Sequence, residues 1–501
     1  AACLVPAVWC FLRTGRELFP EVDASEFTVH LRLTGGPRVE ATEERVSEIQ
    51  KIIREGYTRR DKLPENTPAE ELEALKEQGY DLKGGYKVKK MPPLVPPEDL
   101  ELIVSNMGIS SRWSAIYTPN NGPHAAFIRV QLRSGFGGRH TPTLAYVEKL
   151  RQVLEERYPG DDFFYETGGM IRRILNADAV APIEVQVHGR DAVVRRALAR
   201  QLNSRIQRIP QVKDTYAPQG MDLPQLRVDV DRTAAARLKL TETDVIRNVI
   251  AALMSSSQLA PNFWIDPQSG NPYIIGVQYP EYIVENKQTL ENVPLSPERA
   301  RTGQRVPVLK EVADIHRTQG PIEVYHYDIE RISQVFVSVG DNDLAGVAAE
   351  IERLAARAPV DYILASLPAD KREPLADDEV FRQKLERYLA KGKPEHRAEI
   401  QRTYGFDPAT VRLPAGVRVT VHGEVSSMRA SFREMAFNLC LAVLLVYLVM
   451  AAQFSSWLDP LIMIVAAPLG LIGVVFMLWL TGTSLNIQSC MGVLMMVGIS
   501  V

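Results

Sequence analysis

Between Met435 and Val501 the chain carries one charged residue, Asp459. Met435–Leu458 is uncharged throughout, and Asp459-Pro460 then punctuates it. Leu461–Leu480 is a second uncharged run, Thr481-Gly482-Thr483-Ser484 breaks it, and a third begins near Asn486. A helix needs about 20 mostly apolar residues to cross a ~30 Å hydrocarbon core. In lipid each backbone polar group must be paired internally, so such runs predict spanning helices. Trp457 and Trp479 fall near run ends, where interfacial aromatics concentrate. Ala1–Leu12 is also free of charge but lacks the basic stretch that opens a signal peptide. With apolar residues at both ends, the chain reads as an internal piece of a longer membrane protein. Asp459 before Pro460 fits a helix cap followed by a first-turn proline better than a proton relay. Pro468, Gly470 and Gly473 fit a kink and close helix packing.

Composition matters mainly by position. The 501 residues are 46% hydrophobic and 24% charged, with a net charge of −3. That balance excludes a strongly basic nucleic-acid binder and a disordered acidic tail. Four cysteines exclude a disulfide scaffold. All four, Cys3, Cys10, Cys440 and Cys490, lie in apolar segments. A cysteine-free body suits an oxidising compartment such as the periplasm. Arg13, Arg16, Arg429 and Arg433 flank the spans, but the positive-inside rule fails across a long translocated body, so charge leaves orientation open.

The body between the spans shows one arrangement twice. Phe27–Leu33 alternates as a strand, Gly35-Gly36 ends it, and a helix follows through Ile53 with Val46, Ile49 and Ile53 on one face. Residues 56–98 form an insertion, charged and then proline-rich. Strands at Leu100–Val104 and Ala126–Leu132, a helix opening at Thr141-Pro142 and a strand at Phe163–Glu166 complete a β-α-β-β-α-β unit, the ferredoxin-like order. The order restarts with Ile183–Val187, a helix capped by Asp191 and Val212–Tyr216. It resumes at Gln334–Val339, continues through a helix carrying Leu344, Val347, Ile351 and Leu354, and ends at Val417–Val421. A charged helical insertion fills 357–413. Residues 221–328 are an inserted domain, with a strand around Leu226–Val230, a Thr241-x-x-Asp244 capping box and a strand from Tyr273 to Tyr279.

No GxxxxGK[ST], HExxH or GxSxG motif occurs, and the eight histidines show no metal-ligand spacing. Gly135–His140 is glycine-rich without a phosphate-binding fingerprint. Asp229 and Asp231 share one strand face without a nearby third ligand, and read as a solvated face followed by a helix cap. The pattern points to binding and shape change rather than bond chemistry, with no cofactor.

The ordered motifs resemble the C-terminal half of a resistance-nodulation-division (RND) efflux permease, of the hydrophobe/amphiphile, acriflavin-resistance-like type. ELFPEVDASEFTVHLRLTGGPRVEATEERVSEIQ resembles the opening of the first C-terminal porter subdomain, and QLRVDVDRTAAARLKLTETDVIRNVIAAL the docking domain. VYLVMAAQFSSWLDPLIMIVAAPLGLIGV resembles the eighth and ninth transmembrane helices, and LNIQSCMGVLMMVGISV the start of the tenth. The resemblance implies an α+β fold with transmembrane helices. It places the end of a seventh helix at 1–15 and the first porter subdomain at 16–181. The second porter subdomain falls at 182–220 with 329–424 and the docking domain at 221–328. The eighth helix with its periplasmic extension is 425–458, the ninth 460–481, and the tenth begins at 486–501.

The same resemblance implies a proton antiporter rather than an enzyme. It implies a homotrimer in the inner membrane of a Gram-negative-type bacterium, with the large body in the periplasm. The partners would be the N-terminal half of the permease, a periplasmic adaptor, an outer-membrane channel and the lipid bilayer, with no nucleic acid. The family's titrating acidic pair falls outside these residues. Substrate would be a small amphiphilic organic compound, contacted in NMGISSRWSAIYTPNNGPHAAF by Ile109, Trp113, Tyr117 and Phe127, because aromatics offer apolar area to varied ligands. The alternatives are a heavy-metal cation and an RND-related protein or lipid translocation role. Metal exporters of the superfamily use methionines. Here Met107 and Met170 lie in the relevant subdomain, and His30 stands on a strand where those exporters place a methionine.

Overall fold

The structure, a computed structural model, describes residues 4–500 apart from 21–22, 63–79, 84–85, 109–119, 121, 135–139, 170–180, 219–222, 259–260, 281–282, 284–285, 297–301, 322, 341–342, 366–379, 382, 386–393, 405–416, 459 and 462–465. The chain forms two compact units, residues 1–220 with 322–501, and residues 221–321.

In the larger unit, β1 (Glu26–Arg32) runs into a helix at Val39–Glu55. Three short strands follow, β2 (Tyr57–Lys62), β3 (Asp81–Lys83) and β4 (Tyr86–Met91), in the order β2-β4-β3. They occupy the 56–98 stretch, whose charge and prolines masked its strand pattern. Next come β5 (Leu100–Met107), β6 (Ala125–Leu132), a helix at Thr143–Arg157 and β7 (Asp162–Thr167). The antiparallel sheet has the order β5-β6-β1-β7. Period-two alternation sends Phe27, Val29, Leu31, Ile128 and Val130 toward Val46, Ile49, Ile53, Leu150 and Leu154 of the two helices.

The second half repeats this path. β8 (Ile183–His188) precedes a helix at Ala192–Ile206, which Asp191 caps by accepting the Val193 and Val194 N–H groups. β9 (Val212–Tyr216) follows. The chain then enters the smaller unit, where β10 (Leu223–Val230) pairs with β13 (Ala313–Gly320) and β11 (Asn262–Ile265) with β12 (Pro272–Ile275). There Asp231 caps the next helix, and Thr241 and Asp244 form the reciprocal capping box. Back in the larger unit, β14 (Tyr325–Tyr327), β15 (Glu330–Val339), a helix at Leu344–Ala365 and β16 (Arg418–Gly423) complete the sheet. The order β9-β15-β8-β16 copies the first sheet, with β14 added beside β15.

Two boundaries differ from the sequence reading. Tyr325–Tyr327 pairs with β15, so this piece of 221–328 belongs to the larger unit; Asp328 and Ile329, both at positive φ, make the tight turn between them. The helix from Leu344 also runs past residue 357 to Ala365, with Pro359 inside it. Val360, Ile363 and Leu364 bury against Phe381, Leu385 and Ile400. That packing offsets the backbone bond proline removes.

β16 ends at Gly423, which has φ +95°; a Cβ there would lie 2.7 Å from the Pro182 carbonyl oxygen. The chain then enters a helix from Glu424 to Phe454, about 46 Å long. Among the described residues it is the one helix long and apolar enough to cross a membrane. Phe437, Leu441, Leu444, Leu445, Leu448 and Val449 are exposed along it, an apolar surface that suits lipid. Shorter apolar helices follow at Ala466–Thr481 and Ile487–Ser500. Leu4–Arg13 packs on the former, with Trp9 and Trp479 rings 5.9 Å apart. Gly470 allows a close approach, since a Cβ there would lie 2.6 Å from Met496 Sδ. Asp459 lies outside the described residues.

Candidate functional site

The face of the first sheet turned away from its helices carries polar and aromatic groups. On β1 this face holds Thr28, His30 and Arg32, out of phase with the core residues Phe27, Val29 and Leu31. Antiparallel register sets His30 between Phe127 on β6 and Phe164 on β7. The imidazole lies 6.4 Å from the Phe127 ring, 6.2 Å from Phe164 and 6.5 Å from Tyr216 at the end of β9. Phe164 and Tyr216 stack at 5.8 Å. His30 Nε2 donates to Glu166 Oε2 at 3.1 Å, leaving Nδ1 as an acceptor. His30 is 5% exposed and Phe164 1%, while Phe127 is half-buried. Burial pushes the Tyr216 phenol up to about 12, so it stays protonated at neutral pH.

This is an aromatic cradle around one polarised imidazole. It suits flat or apolar molecules with a single hydrogen-bonding group. His30 and Glu166 could also donate nitrogen and oxygen to a cation. Among the described residues, however, no third His, Cys, Asp or Glu joins any such pair, and a structural zinc site needs four ligands.

Of the four residues singled out from sequence, Phe127 stands in the cradle. Ile109, Trp113 and Tyr117 lie outside the described residues, as does Met170. Met107 packs against the helix-side core, a filling role rather than a soft ligand. The sequence reading passed over Phe164, Glu166 and Tyr216. Alternation along Phe163-Phe164-Tyr165-Glu166 would have placed Phe164 and Glu166 on the His30 face. The contribution of Tyr216 depends on the second half folding back, which no local pattern encodes.

The corresponding face of the second sheet is a hydrogen-bonded polar layer. Glu184 Oε1 accepts the amides of Gln186 at 2.8 Å and Gln334 at 2.6 Å. His188 Nδ1 meets Glu330 Oε2 at 3.1 Å, and its Nε2 meets Thr420 Oγ1 at 2.9 Å. His422 Nε2 reaches the same hydroxyl at 2.9 Å. Burial, then Arg418, lowers the His188 pKa against the opposing pull of Glu330. The halves are joined by Arg151 on the helix Thr143–Arg157, whose guanidinium grips Asp214 of β9 through two bonds of 3.0 and 2.6 Å.

The family model for AcrB/AcrD/AcrF proteins matches residues 109–365 and 399–501. The chain belongs to that family. It is therefore RND permease sequence, with the mixed α/β fold of an RND efflux pump. The cobalt-zinc-cadmium resistance protein CzcA of Cupriavidus metallidurans is 21% identical over 364 residues, 72% of this chain and 29% of that protein. The toluene efflux pump membrane transporter TtgB of Pseudomonas putida is 30% identical over 106 residues, 21% of this chain and 10% of that one. A crystal structure of a heavy metal efflux pump (crystal form II) aligns with 99% of this chain and 41% of its own, at a TM-score of 0.67 and 17% identity. The chain thus spans well under half the length of these relatives.

Proposed function

We propose that the chain forms the C-terminal half of a proton-driven RND efflux permease that moves small amphiphilic organic molecules out of the periplasm and inner membrane. In this reading the two β-α-β-β-α-β halves are porter subdomains and residues 221–321 the docking domain. The permease works as a homotrimer with an adaptor and an outer-membrane channel. In this reading it acts as a transporter, as members of the permease family do. A proton crossing the membrane field releases ~2.3 kcal/mol per 100 mV, a sufficient drive for alternating access. The observation that carries the substrate class is the half-buried Phe127 ring beside His30, Phe164 and Tyr216, an apolar surface with one polar anchor. Ile109, Trp113 and Tyr117 belong to the same proposed contact region.

A heavy-metal cation is the second reading. The His30–Glu166 pair favours it, because imidazole and carboxylate suit zinc-type ions. So does the likeness to CzcA, a cobalt-zinc-cadmium resistance protein, which matches over most of this chain. A susceptibility panel of dyes, solvents and metal salts, on cells with and without the full-length gene, separates the two. The organic reading predicts that Phe127→Ala sensitises cells to organic compounds with metal tolerance unchanged. Sensitisation to metals alone, from either Phe127→Ala or His30→Ala, overturns it.

A further inference from the structure

On the outer face of the second sheet, strand register sets one row of side chains across three strands. Tyr216 of β9 stands opposite Phe336 of β15, and Phe336 stands opposite Glu184 of β8. With strands about 4.8 Å apart, the row runs over about 10 Å from the Phe164–Tyr216 stack to the Glu184 carboxylate. Tyr325 of β14, opposite Ile332, belongs to the same face and lies within electrostatic reach of Glu184 and Tyr216. Its phenol donates to the Glu323 carboxylate.

This face is rich in hydrogen-bond acceptors. Glu184 is 7% exposed, and its Oε1 accepts the amides of Gln186 and Gln334 at 2.8 and 2.6 Å. Among the described residues, neither Glu184 nor Glu323 forms an ion pair. The nearest bases are turned to other partners. Arg32 donates to the Ala217 and Pro218 carbonyls, and Arg418 pairs with Glu330. His422 is opposite Glu184 in register but directs Nε2 to Thr420. Burial raises the Glu323 pKa against the Tyr325 hydrogen bond. Gln186 supplies an independent observation. An ionised carboxylate only accepts, so the Gln186 amide must present Nε2 to Glu184 and direct its oxygen elsewhere. Gln186 is 3% exposed, and that buried oxygen has no partner among the described residues. A buried carboxylate without a cation and a buried carbonyl without a donor are both costly. A cation that carries N–H groups answers both.

We infer that this face binds a protonated amine, whose N–H groups reach Glu184 and Gln186 Oε1 while its apolar part lies along Phe336 and Tyr216. An ammonium brings one positive charge and up to three donors, and aromatic faces beside it favour a cation further. A zinc-type ion is served less well, since no third His, Cys, Asp or Glu joins the pair among the described residues. Tyr216, Glu323 and Tyr325 are half-buried, so the rim of the site meets solvent. The inference rests on the organic-substrate reading above and narrows it. Amphiphiles bearing an amine are held at both ends, the apolar end by the cradle and the charged end by Glu184.

The test uses the full-length permease, purified in uncharged detergent and titrated calorimetrically in low-salt buffer. The probes are 4-phenylbutylamine, protonated at neutral pH as lysine is, and its neutral analogue 4-phenylbutanol. The wild type should bind the amine about tenfold more tightly than the alcohol. Glu184→Gln keeps the side-chain shape and the two amide bonds but removes the charge. It should bring amine binding down to the level of the alcohol and leave alcohol binding unchanged. It should also raise the melting temperature without ligand, because an uncompensated buried charge is gone; a misfolded variant could show neither of these last two results. The inference is overturned by equal wild-type binding of the two probes, or by an amine preference that survives Glu184→Gln. Displacement of the amine by equimolar Na⁺ or K⁺ also overturns it and assigns the site to an inorganic cation. Any of these results with alcohol binding intact sinks this inference alone, whereas binding of neither probe sinks the organic reading with it.

Discussion

The two halves of the larger unit share strand order, helix placement and an apolar core, yet their outer sheet faces differ. In the first, His30 sits among Phe127, Phe164 and Tyr216, with Glu166 as its hydrogen-bond partner. In the second, Glu184, Gln186, His188 and Thr420 bond to one another and to Gln334, Glu330 and His422. The cores cannot differ much, because each must bury one face of a sheet under two helices. The outer faces are under no such demand. One offers apolar surface with a single anchor, which varied molecules can share. The other spends most of its hydrogen-bonding groups on itself, the buried Gln186 Oε1 excepted among the described residues, which fixes side-chain positions.

The largest expected effects test the part that is common. Phe27→Ala in the first core should cost about 3–5 kcal/mol, from lost burial plus the cavity left behind. Breaking the joint between the halves should cost a similar amount. Arg151→Ala would strand Asp214, whose side chain is 5% exposed, and removing one partner of a buried pair costs about 3–5 kcal/mol. Denaturant unfolding of the full-length protein measures both. A loss under 1 kcal/mol for Arg151→Ala would mean that the halves are held together by other contacts.

Acid should unsettle both halves, the first more steeply. His124, ahead of β6, is 1% exposed, and neither ring nitrogen has a hydrogen-bond partner among the described residues. Burial, then Arg32, lowers its pKa from 6.5 to about 4. The unfolded chain therefore binds a proton that the folded one refuses, so stability rises with pH across this window. The contribution is complete above about 6.5 and is lost as pH falls toward 4, by about 3 kcal/mol. His188 is lowered in the same direction and adds a shallower slope. Melting temperatures between pH 7 and pH 4 should fall markedly less for His124→Phe than for the wild type. Equal slopes would refute the assignment to His124.

Much of this contrast was legible in the sequence. Alternation in Phe27–Leu33 located the first core face, and by the same logic the His30 face. The stripe Val194, Leu198, Leu202 and Ile206 oriented the second half's first helix, and these residues do bury. Local chemistry announced the Asp191 cap and the Thr241–Asp244 box. Long-range pairing was not legible. The Arg151–Asp214 grip joins residues 63 apart, and Arg195 meets Ser333 across 138, so no periodicity reports them. The strands between Tyr57 and Met91 hid behind lysines and arginines, which interrupt the alternation of apolar residues.

Thr420→Val probes the polar face at a smaller scale. Valine keeps the shape but removes the hydroxyl that links His188 and His422. Two imidazole edges lose a partner, for an expected cost of about 1–2 kcal/mol in denaturant unfolding. Transport should be unaffected if that face serves structure alone. A transport defect with normal stability would move a functional role onto the second half.

The smallest stability effect should come from Phe127→Ala. Phe127 is half-buried and stands outside the helix-side core, so truncation removes a modest apolar area, worth ~1 kcal/mol or less. The matching substitution across the sheet, Phe27→Ala, should cost several times more. If the outer face of the first half exists for binding, the order reverses in a transport assay: Phe127→Ala at normal expression should impair export of organic compounds. Should Phe127→Ala instead destabilise as much as Phe27→Ala, the ring would be packing material, and the contrast between the two outer faces would lose its functional meaning.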